Sequence, residues 1–173
     1  MSTVDHQDRQ QGVILVGHGG VPRDFPRDLL TRLKSLEAKR RATGSEQTDE
    51  EIELETRIRR WPRTPATDPY KAGLEALAAH LKPALNGPVF AIAYNEFCAP
   101  TVEEAVEDLI RRGATLITVV PSMLTPGGSH SEIEIPESLE RLHIQHPTIE
   151  LRYAWPFDLT QVAAMLAAQL RRF

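Results

Sequence analysis

The sequence predicts an α/β fold with a mainly parallel sheet, and three observations carry that prediction. Four short runs rich in Val, Ile and Leu alternate with amphipathic stretches of helical period, the pattern of strands joined by crossover helices. The runs are apolar at successive positions, as expected where helices cover both faces of a sheet. Three of them are followed closely by a metal-capable side chain: His18, Glu96 or His130. An open parallel sheet binds ligands outside the carboxyl ends of its strands, so these residues are expected to converge on one mouth.

Residues 1–11 are polar, lack the apolar core of a signal peptide, and are expected to form a disordered leader with His6 exposed on it. Gly12 to Gly17 is the first strand. Leu29, Leu30, Leu33 and Leu36 then predict a helix, Thr43-Gly44-Ser45 a turn, and Thr48 with Glu51 the cap of a second helix carrying Ile52, Leu54, Ile58 and Trp61. Pro62 and Pro65 close this unit. A crossover between neighbouring parallel strands needs little more than one helix, yet about 70 residues separate His18 from Val89. The stretch at about 25–65 therefore reads as a helical hairpin inserted between the first strand and its ordinary helix. Its charges are expected to form a solvated face, with a lid or a dimer arm as the sharper alternative.

The ordinary helix starts at Asp68-Pro69, a cap followed by proline at the first helical position. Leu74, Leu77, Ala78 and Leu81 are its expected buried stripe, and His80 beside them reads as structural. Val89 to Tyr94 is the second strand. Thr101 and Glu104 make a capping box, and Val102, Ala105, Val106, Leu109 and Ile110 fall on one face of the helix it opens. Arg111 and Arg112 suit the negative end of its dipole, and Gly113 ends it. Residues 115–120 form the third strand, a loop with Gly127, Gly128 and Ser129 leads to His130, and Pro136 suits the first turn of the next helix. Glu134 there is read as favourable charge at a helix start. His143 and His146, near that helix's end, read as exposed or capping residues; their spacing is not that of a paired helical metal motif. Residues 149–153 form the fourth strand, and a last helix, about 159–172, presents Val162, Met165, Leu166 and Leu170. No internal repeat is apparent.

At 173 residues the chain is long enough to bury a core, and residues 12–173 read as a single domain. Hydrophobic residues make up 41% and charged residues 25%, the balance of a soluble globular protein. A formal charge of −4 gives no electrostatic reason to expect nucleic acid. The longest apolar runs are strand-sized, far short of a membrane span, so a cytoplasmic protein is expected. Cys98, the only cysteine, excludes an internal disulfide and a Cys-cluster zinc site; it reads as a small buried apolar residue.

His18 sits between glycines in Gly17-His18-Gly19-Gly20, a turn that lets a ligand approach the backbone. A histidine phosphatase normally needs Arg immediately before its histidine, where this chain has Gly17. An α/β-hydrolase using His-Gly-Gly in an oxyanion hole needs a G-x-S-x-G elbow, and Ser129 is followed by Ser131 where the closing glycine belongs. A structural histidine remains the bland reading for an isolated His. Two imidazoles and a carboxylate at one mouth would instead make a first shell for a divalent transition metal.

Taken in order, several segments resemble the class II chelatases of the sirohydrochlorin cobaltochelatase and ferrochelatase type. Ile14-Leu15-Val16-Gly17-His18-Gly19-Gly20 matches a strand ending in H-G-S, with Gly20 as the departure. Tyr94-Asn95-Glu96-Phe97-Cys98-Ala99-Pro100-Thr101 looks like the strand-Glu-Pro-helix segment. Gly128-Ser129-His130-Ser131-Glu132-Ile133-Glu134-Ile135-Pro136 is similar to G-x-H-V-x-x-D-I-P, with Ser131 and Glu134 departing. His146-Pro147, a strand and Trp155-Pro156-Phe157 complete the series, which spans both ends of the chain and omits the insertion.

The resemblance implies a chelatase-like three-layer sandwich. It assigns His18, His130 and Glu96 to catalysis and to holding the metal, and Gly19, Gly20, Arg23, Gly127, Gly128 and Ser129 to substrate binding. Arg23, Arg27 and Lys34 would pair with carboxylates of an acidic tetrapyrrole, or be solvated surface charge. The implied reaction inserts Co²⁺, alternatively Fe²⁺ or Ni²⁺, into sirohydrochlorin or a related tetrapyrrole in cobalamin or siroheme biosynthesis. The metal is substrate, with no permanently bound cofactor, and a homodimer is expected. The alternative is a non-catalytic metal- or tetrapyrrole-binding carrier of the same fold.

Overall fold

In the computed structural model, which describes residues 10–173, the apolar runs form four strands. They are β1 (Gln11–Gly17), β2 (Val89–Tyr94), β3 (Leu116–Pro121) and β4 (Glu150–Tyr153). The expectations for His6 and for residues 1–9 of the leader lie outside the described residues; Gln11 already belongs to β1. All pairings are parallel, in the order β2-β1-β3-β4. The connection from β1 leads to β2 on one side, and the connection from β3 leads to β4 on the other. The carboxyl ends of β1 and β3 therefore flank the switch point where such sheets open a crevice.

Side-chain alternation along the strands builds two cores. Ile14 and Val16, with Ala93, Ile117 and Val119, meet α4 (Val102–Arg111) and α5 (Ile135–Gln145) on one face. Leu15 and Tyr94 meet Leu74 and Ala78 of α3 (Pro69–Ala84) on the other, with Cys98 buried as expected. This is the three-layer arrangement that the continuous apolar runs required. The capping box forms: Thr101 accepts from Glu104 N–H, and Glu104 accepts from Thr101 N–H at 2.8 Å.

The hairpin is α1 (Arg27–Thr43) and α2 (Asp49–Arg59), joined through Gly44 at φ 62 and capped by Thr48. Phe25, Leu33, Leu54 and Ile58 form its own buried cluster, with Trp61 and Phe97 packed against it. Burying each of Leu33 and Ile58 contributes about 1.5–3 kcal/mol. Phe97 lies in the loop after β2, so this cluster seats the hairpin over the carboxyl end of the sheet. Not all of its charge is solvated: Glu51 is fully buried, held by Arg40 at 2.7 Å.

Three expectations need correction. Leu77 is half exposed, because α3 lies mainly along β2 and no described element covers that flank; Leu81 is only partly buried. The last helix, α6 (Leu159–Leu170), ends two residues early and leaves its apolar stripe uncovered, with Leu170 76% exposed. Helical structure after β3 begins at His130 instead of beside Pro136, as a π-helical turn (His130–Glu134) running into α5. Among the described residues no helix is long and apolar enough to cross a membrane.

Candidate metal centre

The β1–β2 ladder continues beyond both strands. Asn95 N–H donates to Gly17 O at 2.9 Å, and Glu96 N–H donates to His18 O at 2.8 Å. His18 and Glu96 are thus held as neighbours by backbone. Gly19 permits the crossing: its φ is 94°, and a Cβ there would lie 1.9 Å from Glu96 O. Tyr70, in the first turn of α3, accepts from His18 N–H at 2.7 Å.

His130 arrives from β3 on the π-helical turn. Such turns shift a side chain relative to an α-helix and are frequent at functional sites. Tyr153 of β4 clamps this one, donating to Ser131 O at 2.8 Å, and burial pushes its phenol up to about 12.

The polar partners set the direction of both imidazoles. His18 Nδ1–H donates to Gly19 O at 2.8 Å, and His130 Nδ1–H donates to Glu134 Oε2 at 2.9 Å. Asn95 Nδ2, which lies 2.8 Å from His130 Nδ1, donates to the same carboxylate oxygen at 2.7 Å. With each Nδ1 engaged as donor, each Nε2 presents a lone pair, the arrangement that prepares histidines for metals. The two Nε2 atoms face each other at 2.9 Å. Lone pairs at that range repel unless a proton or a cation lies between them. Glu96 Oε1 lies 4.0 Å from His130 Nε2, and one ligand atom from each of the three residues falls within 4.8 Å of the others. Two bonds of about 2.0–2.1 Å at the tetrahedral angle span about 3.3 Å, so a few tenths of an ångström of ring movement admits a divalent ion.

Glu134 is more than charge at a helix start. Burial pushes its carboxyl up, but hydrogen bonds from His130 and Asn95 outweigh that and hold it below the ordinary value. Sequence reasoning missed its role and that of Asn95. The signal was present, since His130 and Glu134 are four residues apart on a helical stretch.

A cavity of about 480 Å³ adjoins the triad, lined by Asn95, Glu96, Ser129 and Glu134 on one side and the hairpin on the other. Of the other expected substrate residues, Gly20 accepts from Arg63 at 2.8 Å, and Gly127 N–H donates to Glu132 at 2.8 Å. Gly127 and Gly128 are exposed, and neither lines the cavity. Arg23, Arg27 and Lys34 are exposed and outside it; Lys34 instead lies 5.9 Å from the Phe97 ring. His80 and His143 are exposed, and His146 terminates α5, 2.7 Å from Glu107.

Arg63 is the other residue missed. Its buried guanidinium donates to Gly20 O, Ile58 O at 2.9 Å, Phe97 O and the Asp68 carboxylate. One side chain thereby ties the loops after β1 and β2 to the hairpin and to the cap of α3.

Comparison with known proteins follows the same outline. Residues 66–172 match the family model described as CbiX. A sirohydrochlorin ferrochelatase of Priestia megaterium is 30% identical over 86 residues, 50% of this chain and 32% of the relative. A sirohydrochlorin cobaltochelatase of the same organism is 31% identical over 68 residues, 39% of this chain and 22% of the relative. The matches thus span a third or less of those relatives' own length. Among solved structures, a chain named as a cobalamin (vitamin B12) biosynthesis CbiX protein from Marinobacter aquaeolei VT8 superposes with a TM-score of 0.55. That match has 20% identity and covers 94% of this chain and 99% of the other, a likeness of fold.

Proposed function

The chain belongs to the CbiX family, and on that premise we propose that it inserts a divalent metal ion into sirohydrochlorin or a closely related acidic tetrapyrrole. The observation that carries this reading is the convergence of two imidazole lone pairs, His18 Nε2 and His130 Nε2, beside the Glu96 carboxylate. The relatives named for iron and for cobalt support metal insertion without separating the metals.

The reaction exchanges one M²⁺ for two pyrrole N–H protons. Neutral imidazole is a good ligand for Co²⁺, Fe²⁺ and Ni²⁺ and a base near neutral pH, so one pair of side chains serves both halves of the exchange. His18 and His130 hold the incoming ion. As the pyrrole nitrogens displace them, the freed Nε2 lone pairs accept the departing protons, and Glu96 passes them toward solvent. Three protein ligands suit a metal that must leave, whereas a closed four-ligand shell would retain it. Glu134 and Asn95 keep His130 turned toward the exchange throughout.

Cobalt is the proposed metal, with iron second and nickel third. The working unit is a homodimer, supported by the uncovered stripe of α6, in which Met165 and Leu166 are each about half exposed. Anaerobic incubation with sirohydrochlorin and each metal in turn, followed by visible absorption, tests the activity. Turnover above the uncatalysed rate, lost in His18→Ala and His130→Ala, is the expected result. Stoichiometric binding without turnover would make the protein a carrier.

A further inference from the structure

The cavity beside the triad has a second wall, and that wall belongs entirely to the inserted hairpin. Leu33, Glu37, Arg40 and Arg41 of α1 and Glu55, Ile58 and Arg59 of α2 face Asn95, Glu96 and Glu134 across it. The CbiX match covers residues 66–172, so this wall, like β1 and His18, lies outside the part of the chain that the family model describes. Its chemistry is distinctive, because three arginines approach a site whose other ionisable groups are carboxylates and histidines.

The three arginines are not equivalent. Arg40 is committed to the buried Glu51 at 2.7 Å and reads as architecture. Arg59 stands 3.7 Å from Glu55, a long and partly exposed pair of the kind that contributes little. Arg41 makes no hydrogen bond or contact ion pair among the described residues, and its charge is felt by Glu37. Two guanidinium groups at the cavity are therefore available for a new partner. Phe97 and the half-exposed Ile133 line the same cavity and offer apolar surface. Phe97 is held at φ 56°, a conformation costly for a bulky residue and characteristic of functional positions.

We propose that the hairpin is the substrate-recognition wall, in which Arg41 and Arg59 take peripheral carboxylates of the tetrapyrrole while Phe97 and Ile133 meet its apolar edge. This rests on the reading of the chain as a tetrapyrrole chelatase and adds which residues select an acidic macrocycle. Planar guanidinium groups match carboxylates in paired hydrogen bonds, which a lysine would not reproduce. The residues first expected in this role, Arg23, Arg27 and Lys34, lie outside the cavity. Metal exchange and substrate choice are thus divided between the sheet mouth and the hairpin.

The test separates binding from chemistry. Steady-state turnover of sirohydrochlorin with Co²⁺ is measured for wild type, Arg41→Ala, Arg59→Ala and, as a control on the far end of α4, Arg111→Ala. The two cavity variants are expected to raise KM about tenfold each with kcat within about threefold; the control stays at wild type. Fluorescence titration with metal-free porphyrins bearing eight and two carboxylates gives the second readout. Wild type is expected to prefer the more acidic porphyrin about tenfold, a preference lost in the cavity variants and weakened by added salt in wild type. Cavity variants with wild-type KM and preference would overturn this proposal and leave the chelatase reading standing. A wild-type protein that neither binds nor metallates any tetrapyrrole would overturn both.

Discussion

Arg63 donates to the carbonyl oxygen of Phe97 from within the segment that closes the hairpin, and so joins the hairpin to the loop that carries Glu96. The same guanidinium is buried against Asp68, each side chain no more than 5% exposed. Replacing it with methionine would strand a buried carboxylate and three backbone acceptors. Arg63→Met is expected to lose about 3–5 kcal/mol in urea denaturation, and Arg63→Lys less, because it keeps the charge but not the fork.

His18→Ala and His130→Ala remove the proposed ligands, not packing. Both should give wild-type circular dichroism and thermal midpoints close to wild type. Turnover should fall by about 10²–10⁴, the usual span for a lost acid–base group.

Glu134→Gln leaves all three proposed ligands in place and removes the charge that holds His130. Support of this kind typically alters metal affinity by about 10–100-fold, and Co²⁺ titration by calorimetry should show a loss in that range. An affinity equal to wild type would return Glu134 to the role of a helix-start charge.

Gly19 and Gly127 make a matched pair. Both have positive φ, at 94° and 96°, but a Cβ at Gly19 meets Glu96 O while one at Gly127 meets nothing within 4 Å. Gly127→Ala should cost only the conformational penalty, roughly 1–2 kcal/mol. Gly19→Ala should cost more and also reduce metal binding, since it forces apart the loops that carry His18 and Glu96. Equal midpoints for the two variants would contradict this.

Glu37, on the hairpin wall, has its carboxyl raised by burial and then by Glu55. The native state therefore holds that proton more tightly than the unfolded chain does. The stability it contributes is present below the ordinary carboxylate range and is lost as pH rises through the raised value. Glu37→Gln should raise the thermal midpoint at pH 7 and leave it unchanged near pH 3.

Much of this architecture was legible because period and capping chemistry agree locally. Thr101 with Glu104, Thr48 with Glu51 and the runs at β1, β2 and β3 each state their structure within a few residues. What escaped depends on partners far away in sequence. Nothing near Arg63 announces that it will be buried against two loops and a cap. Leu77 and Leu166 lie on apolar stripes, but a stripe reveals only that a helix can bury a face, not that a neighbour covers it. Pro136 suggested a helix start, while the true start at His130 depends on the Tyr153 clamp from β4.

The donation from Glu96 N–H to His18 O makes the spacing of these two proposed ligands a property of main chain. Strand spacing, about 4.8 Å, fixes how far apart the two anchors stand, whatever side chains hang from them. Exchanging carboxylate and imidazole at either anchor would then change side-chain reach but leave the main-chain separation as it is. Preference among first-row ions at the proposed site would then be tuned by donor type and side-chain reach on one fixed main-chain frame.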